Sequence, residues 1–143
     1  MLAKKVSRGT IYGRNGEVLA ETIVDEDGKE IRYYPFGSLF VHMVGYNTHG
    51  KSGVEYSMNY ELLTSKTGFF KKLVNDFKGK KDEGNSVHTT LDARLQKAAY
   101  DALGEYKGAV VVLESSTGKI LAMVSKPDFD PNNITELWQT LIN

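Results

Sequence analysis

Ser116 and Lys119 stand three apart in Ser116-Thr117-Gly118-Lys119. A serine hydroxyl becomes a useful nucleophile when a base lies within hydrogen-bond reach. A lysine meets that need if both residues share one helical turn, where i and i+3 side chains are neighbours. Two further patterns go with this chemistry, Ser-x-Asn and Lys-Thr/Ser-Gly. Ser57-Met58-Asn59 fits the first, and Lys66-Thr67-Gly68 and Lys51-Ser52-Gly53 fit the second. Assembled, the three would make a serine acyl-transfer site. The surrounding sequence argues against assembly. Ser116 and Lys119 flank a Gly-containing turn between two apolar runs, so the helical geometry is absent. The second and third patterns precede the first along the chain. Nine serines and fourteen lysines in 143 residues make about one Ser-x-x-Lys match expected by chance. Ser57-Met58-Asn59 also falls within an expected helix. Ser116, Lys119, Ser57, Asn59 and Lys66 are therefore read as coincidental.

Other chemistry is narrowed by composition. There is no Cys, which excludes a disulfide framework and a thiolate metal site. His42, His49 and His88 have neither metal-ligand spacing nor a carboxylate cluster beside them, so no metal and no cofactor is expected. Net charge is zero, and no nucleic-acid partner is announced. Lys71, Lys72, Lys78, Lys80 and Lys81 form a local basic run. It is read as a solvated helix face, with anionic lipid or wall polymer as the functional alternative. No run reaches the ~20 apolar residues needed to span a bilayer.

The elements that must position any site follow from periodicity and turns. Residues 109–113 and 120–124 are short apolar runs around a polar, Gly118-containing turn, and read as a hairpin. Neither alternates, so both faces are expected to be covered and a larger sheet is expected beyond them. Near the start, Asn15-Gly16 between Ile11-Tyr12 and Val18-Leu19 predicts another hairpin. Asp27-Gly28 predicts that residues 21–24 pair with residues 30–34. A short helix over 38–44 buries Leu39, Phe40 and Met43. Val54, Met58 and Leu62 predict a helix over 54–63. Phe69, Phe70, Leu73, Val74 and Phe77 predict another. Residues 79–85 read as a linker. Residues 87–91 read as a strand, with Asp92 opening a helix striped by Leu91, Leu95, Ala98 and Ala102 and stopped at Gly104. Asn132 or Asn133 is expected to cap a last helix carrying Ile134, Leu137, Trp138 and Leu141. Trp138 and the Phe stripe are read as core rather than as a sugar-stacking surface. The fold class is α+β.

Four stretches, in order, resemble one family. RGTIYGRNGEVLA (residues 8–20) is similar to the first box, R-G-x-I-x-D-R-N-G-x-x-L-A, with Gly13 where the family usually has Asp. YPFGSLFVHMVGY (34–46), followed by Gly53-Val54-Glu55, resembles the next boxes. VHTTLDARLQ (87–96) resembles the T-x-D-x-x-x-Q lead-in to a catalytic domain. Residues 108–132 resemble that domain's first hairpin. The family is the class B penicillin-binding proteins, the bacterial cell-wall transpeptidases.

The resemblance implies two parts: a non-catalytic pedestal over residues 1–84 and the opening of a transpeptidase domain over 85–143, cut before the catalytic serine. It implies a parent enzyme anchored at the outer face of the cytoplasmic membrane by a helix missing here. That parent acylates its serine with peptidoglycan stem peptides or β-lactams and cross-links the wall. The piece itself is expected to be inactive scaffold. The alternative is an interaction module for dimerisation or for docking wall-synthesis proteins. A homodimer through the open strands of residues 109–124 is expected. Arg8, Arg14 and Glu55 lie in boxes far apart in sequence, and an ion pair from an Arg to Glu55 is expected to tie the first hairpin to the pedestal helix.

Overall fold

After a two-residue strand β1 (Val6–Ser7), two Gly-containing turns build the first sheet. Asn15 and Gly16 reverse the chain between β2 (Ile11–Tyr12) and β3 (Val18–Val24), with Gly16 at φ 89°. Gly13 N–H closes the reversal on Glu17 O at 2.8 Å. Asp25 Oδ1 then accepts from Asp27 and Lys29 N–H, and β4 (Glu30–Tyr33) returns along β3 with Glu21 opposite Tyr33 and Val24 opposite Glu30. Both hairpins match the turn chemistry read from the sequence. The computed structural model describes residues 6–66, Asn75 and residues 81–142. The expected helix of Phe69, Phe70, Leu73, Val74 and Phe77, Lys71, Lys72, Lys78 and Lys80 of the basic run, and Thr67-Gly68 of one decoy pattern lie outside the described residues.

A 3-10 turn (Gly37–Phe40) runs into α1 (Val41–Val44). Phe40, Val41 and Val44 are its buried residues, while the expected Leu39 and Met43 are only partly buried against the core. The single helix expected over 54–63 is two: α2 (Gly53–Ser57) and α3 (Asn59–Leu62), parted at Met58 with φ −104° and ψ 19°. Glu55 and Leu62, seven residues apart, define the buried side. The kink turns Met58 outward, so the predicted Val54, Met58, Leu62 stripe does not hold.

The expected linker at 79–85 is also corrected. Within it β5 (Asp82–Glu83) pairs in parallel with β1. Gly84 N–H reaches Ser7 O at 2.7 Å and Gly9 N–H reaches Leu62 O at 2.9 Å. A Cβ on Gly84 would sit 2.0 Å from Leu62 O, and one on Gly9 2.1 Å from Asn85 O. The segment is held by backbone at glycine contact distance, which a search for apolar anchors does not detect. β6 (Val87–His88) then joins β2 in parallel, Ile11 opposite Val87, giving the order β4-β3-β2-β6.

Asp92 caps α4 (Ala93–Leu103), its Oδ1 accepting Arg94 N–H at 2.9 Å and Leu95 N–H at 3.3 Å. Desolvation is the largest single influence and raises its pKa, but the Leu95 and Arg94 N–H groups, the Asn15 amide and the Arg94 charge together outweigh it and hold the carboxyl below its usual range. The predicted stripe is wrong in phase: Gln96 and Ala99 are buried, whereas Leu95, Ala98 and Ala102 are exposed. A polar residue holds the central inward position. α4 lies on the hairpin of β7 (Gly108–Leu113) and β8 (Ile120–Lys126). Ala122 and Val124 are buried, but Val111 and Leu113 of β7 are 52% and 57% exposed. One face of β8 is thus fully covered and its other face is half-buried, while β7 is largely exposed, so the expected cover on both faces is not seen among the described residues. Asp130 caps the closing 3-10 turn (Pro131–Asn133), accepting Asn132 N–H at 2.9 Å, while Asn133, one of the two expected caps, stands at the N-cap position of α5 (Ile134–Leu141) without a side-chain cap hydrogen bond. Ile134 is buried there; Leu141 is exposed.

The architecture is α+β. One core joins Ile11, Leu19, Ala20, Tyr34, Phe40, Val44, Leu62 and Leu91. Burying each large aliphatic stabilises by about 1.5–3 kcal/mol. Leu91 brings the second half of the chain into the core of the first.

Candidate functional site: a buried ionic cluster and two amide clasps

Glu55 sits on α2 with its side chain wholly buried. Its Oε2 accepts Arg8 Nε at 2.6 Å and its Oε1 accepts Arg32 Nε at 2.7 Å. Arg8 also donates to Glu55 O at 2.6 Å and to Asn59 Oδ1 at 2.8 Å. Arg32 donates to Gly9 O at 2.8 Å and to Thr22 Oγ1 at 3.2 Å. Backbone carbonyls accept from Arg8 Nη2 and Arg32 Nη1, whereas Arg32 Nη2 is buried with no hydrogen-bond partner among the described residues. Tyr34 Oη lies 3.4 Å from Glu55 Oε1. Burial first, then the adjacent carboxylate, pushes its phenol well above the ordinary range, so it remains a donor.

β4 shows why Arg32 points inward. Ile31 and Tyr33 are partly exposed on one face of the edge strand, so alternation turns Arg32 to the other. Arg14, by contrast, is exposed on the first turn, its backbone N–H on Leu91 O at 2.9 Å. The structure brings Arg8 and Glu55 together and supplies Arg32, not Arg14, as the second cation. At Gly13, Glu17 occupies the space a side chain would take: a Cβ there would lie 2.7 Å from its Oε2. That oxygen accepts Asn15 N–H at 3.1 Å. Desolvation raises the Glu17 pKa, but hydrogen bonds from its own backbone and from Asn15 outweigh it and leave the carboxyl below its usual value.

Two side-chain amides tie the halves of the chain. Gln96, fully buried, donates through Nε2 to Leu39 O and to Met123 O, both at 2.8 Å. Its Oε1 accepts Met123 N–H at 2.9 Å. Asn132 accepts Tyr34 N–H at 2.9 Å and donates to Tyr34 O at 3.0 Å. It thereby replaces a strand partner along the end of β4. Arg32, Gln96 and the clasp of Asn132 went unread in the sequence. For Gln96 the usable signal was a polar residue at the inward phase of a helix; for Arg32 it was the outward phase of Ile31 and Tyr33.

The Penicillin binding protein A dimerisation domain family matches residues 8–87, over half of the chain. The chain belongs to the class B penicillin-binding protein family. The Penicillin binding protein transpeptidase domain family matches residues 108–143. The peptidoglycan D,D-transpeptidase PbpA of Mycolicibacterium smegmatis is 39% identical over 135 residues, covering 87% of this chain and 27% of that protein. PbpA of Mycobacterium tuberculosis is 36% identical over 151 residues, covering 94% of this chain and 30% of its own length. A crystal structure of penicillin-binding protein A from M. tuberculosis superposes with a TM-score of 0.82 at 32% identity, over 97% of this chain and 35% of that one. The chain thus spans under a third of the length of these curated relatives.

Within this penicillin-binding protein chain the matches to Ser-x-x-Lys, Ser-x-Asn and Lys-Thr/Ser-Gly are scattered. Ser116 and Lys119 are exposed on the β7–β8 turn, where Glu114 O accepts Gly118 N–H at 2.8 Å and Gly118 has φ 72°. Ser57 Oγ is spent on Val54 O at 3.5 Å, and Asn59 belongs to the Arg8 cluster. Lys66 is exposed beside Asn85, and Lys51 lies in the preceding loop. His42 bonds Pro127 O at 3.1 Å, His49 stacks on Trp138 and His88 stacks on Tyr12. Among the described residues no group of three or more His, Cys, Asp or Glu is placed to hold a metal, and no helix is long and apolar enough to cross a membrane.

Proposed function

We propose that this chain is the scaffold portion of a peptidoglycan D,D-transpeptidase, with a pedestal over residues 1–84 and the opening of the transpeptidase domain over 85–143. The parent acylates a serine supplied by sequence outside these residues, takes peptidoglycan stem peptides as substrate and is trapped by β-lactams. It works at the outer face of the cytoplasmic membrane on an N-terminal anchor. The observation that carries this reading is the joint between the two family-matched segments. β6 enters the pedestal sheet beside β2, and Gln96 and Asn132 clasp backbone across the joint. Such a joint suits a rigid mount for a catalytic domain. Fluorescent penicillin tests it. This chain takes no covalent label, and the same chain extended to the length of its relatives does. Label mapped to Ser116 would overturn the reading.

A second reading, an interaction module for dimerisation or for wall-synthesis partners, is favoured by the description of the family matched at residues 8–87. Residues 109–124 offer one surface, since β7 pairs only with β8 among the described strands and exposes Val111 and Leu113. Light scattering at rising concentration tests whether this chain associates at all.

A further inference from the structure

Asn15-Gly16, which reverses the chain in the first hairpin, is also a reactive dipeptide. A glycine after asparagine places no Cβ beside the backbone nitrogen that follows, so that nitrogen can reach the asparagine side-chain carbonyl and close a five-membered ring. Asn15 is the one asparagine in the sequence followed by glycine. Both residues are exposed, and a Cβ built on Gly16 would meet nothing within 4 Å. Gly16 N–H is held by a bond at the long end of the normal range, to Gly13 O at 3.2 Å.

The same amide stands between two carboxylates. Asn15 Nδ2 donates to Glu17 Oε1 at 3.2 Å and to Asp92 Oδ2 at 3.4 Å. Both carboxyls are held below their usual range and are charged at neutral pH. Asp92 caps α4, so this amide fastens the first hairpin to the start of that helix, beside the bond from Arg14 N–H to Leu91 O at 2.9 Å. The nearby cations do not stand between the two carboxylates. Arg94 Nε lies 3.8 Å from the other Asp92 oxygen with its side chain in solvent, and Arg14 is exposed. A carboxylate at position 15 has no N–H to donate and sets a third negative charge against these two.

We propose that Asn15 is a site of spontaneous deamidation, and that its product releases the first hairpin from the start of α4. The Gly16 backbone nitrogen attacks Asn15 Cγ. The bond from that nitrogen to Cγ forms, the Cγ–Nδ2 bond breaks, and the Gly16 proton leaves with the amide as ammonia. Solvent water then opens the ring. Cleavage between the nitrogen and Cγ gives aspartate. Cleavage between the nitrogen and the Asn15 carbonyl carbon gives isoaspartate, with an extra methylene in the main chain. Either product exchanges the donor for a carboxylate.

Ageing the folded chain at neutral to mildly alkaline pH, followed by intact mass and peptide mapping, tests the chemistry. The mass gain of ammonia lost and water taken up maps to Asn15, as a mixture of aspartate and isoaspartate. It is lost in Asn15→Gln, which keeps an amide but cannot close a five-membered ring. Hydrogen exchange tests the consequence, with circular dichroism confirming that each variant is folded. Exchange at Arg14 N–H rises in Asn15→Asp and in aged parent chain separated by its added charge. Asn15→Asp combined with Asp92→Asn returns one donor and one acceptor to the contact and recovers the protection. The proposal is overturned if Asn15 survives in the folded chain while reacting in urea, or if isoaspartate forms only at Asp27-Gly28. It is equally overturned if Arg14 exchanges in Asn15→Asp as it does in the parent chain.

Discussion

Glu55 and Gln96 are both fully buried, and each fastens elements distant in sequence, but by different physics. Glu55 is a charge between two guanidiniums, gathering the start of the chain, β4 and α2. Gln96 is neutral, gathering the 3-10 turn, α4 and β8 through three backbone hydrogen bonds. A buried ion pair repays its desolvation only when geometry and extra hydrogen bonds are good, and removing one partner strands the other. A neutral amide strands only dipoles. The pedestal-matched segment therefore has a joint that is specific and brittle. The joint to the transpeptidase-matched segment is specific and forgiving.

Removing the charge breaks the comparison most strongly. Glu55→Ala leaves Arg8 and Arg32 buried and destabilises by about 3–5 kcal/mol, read from the midpoint of urea unfolding. Glu55→Gln, which converts the site to the kind of group found at 96, loses nearly as much. A loss under about 1 kcal/mol would mean the cluster is solvated and the contrast false. Gln96→Leu keeps the bulk and strands the Leu39 and Met123 groups, for a loss of about 1–3 kcal/mol. If it matches Glu55→Ala, the two joints are equivalent after all. Asn132→Ala costs about 1 kcal/mol and raises amide exchange at Tyr34, which distinguishes local unlatching from global weakening.

The smallest effect is in the pH dependence. The folded pKa of Asp92 lies below its unfolded value, so its contribution is complete above the unfolded pKa, about 3.9. It is lost as pH falls through the lowered folded value. Asp92→Asn shallows the acid limb of thermal stability while leaving the trend above neutral pH unchanged. An acid limb as steep as that of the parent chain would remove Asp92 from the account.

The two joints also differed in how far the sequence disclosed them. Turn chemistry made the first two hairpins readable, because Asn15-Gly16 and Asp27-Gly28 state their backbone conformation locally. The pairing of an Arg with Glu55 was readable only as an association between distant boxes, with Arg8 and Arg14 both candidates, and the second cation, Arg32, went unread. Strand phase decides that question: Arg32 faces inward because Ile31 and Tyr33 face outward. Gln96 lay within a quoted motif, but an apolar stripe was sought and the helix was phased on Leu95 and Ala98 instead. Residues 79–85 looked like a linker because glycine packing at Gly84 leaves no hydrophobic trace. Asn132 and Asn133 were both read as caps of the last helix; Asn133 holds that position without a side-chain bond, and Asn132 is drawn instead to the backbone of Tyr34, which only tertiary position decides. Local signals were legible, and long-range polar ones required the fold.

β6 runs parallel to β2, joined by Val87 N–H to Thr10 O at 2.9 Å and Thr89 N–H to Tyr12 O at 2.8 Å. Tension applied between the two termini of this chain drags those neighbours in opposite directions along their length. Their bonds are then loaded together in shear, not peeled open one after another, and β1 with β5 has the same sense. Load passed from β2 to β6 is therefore shared by these bonds at once.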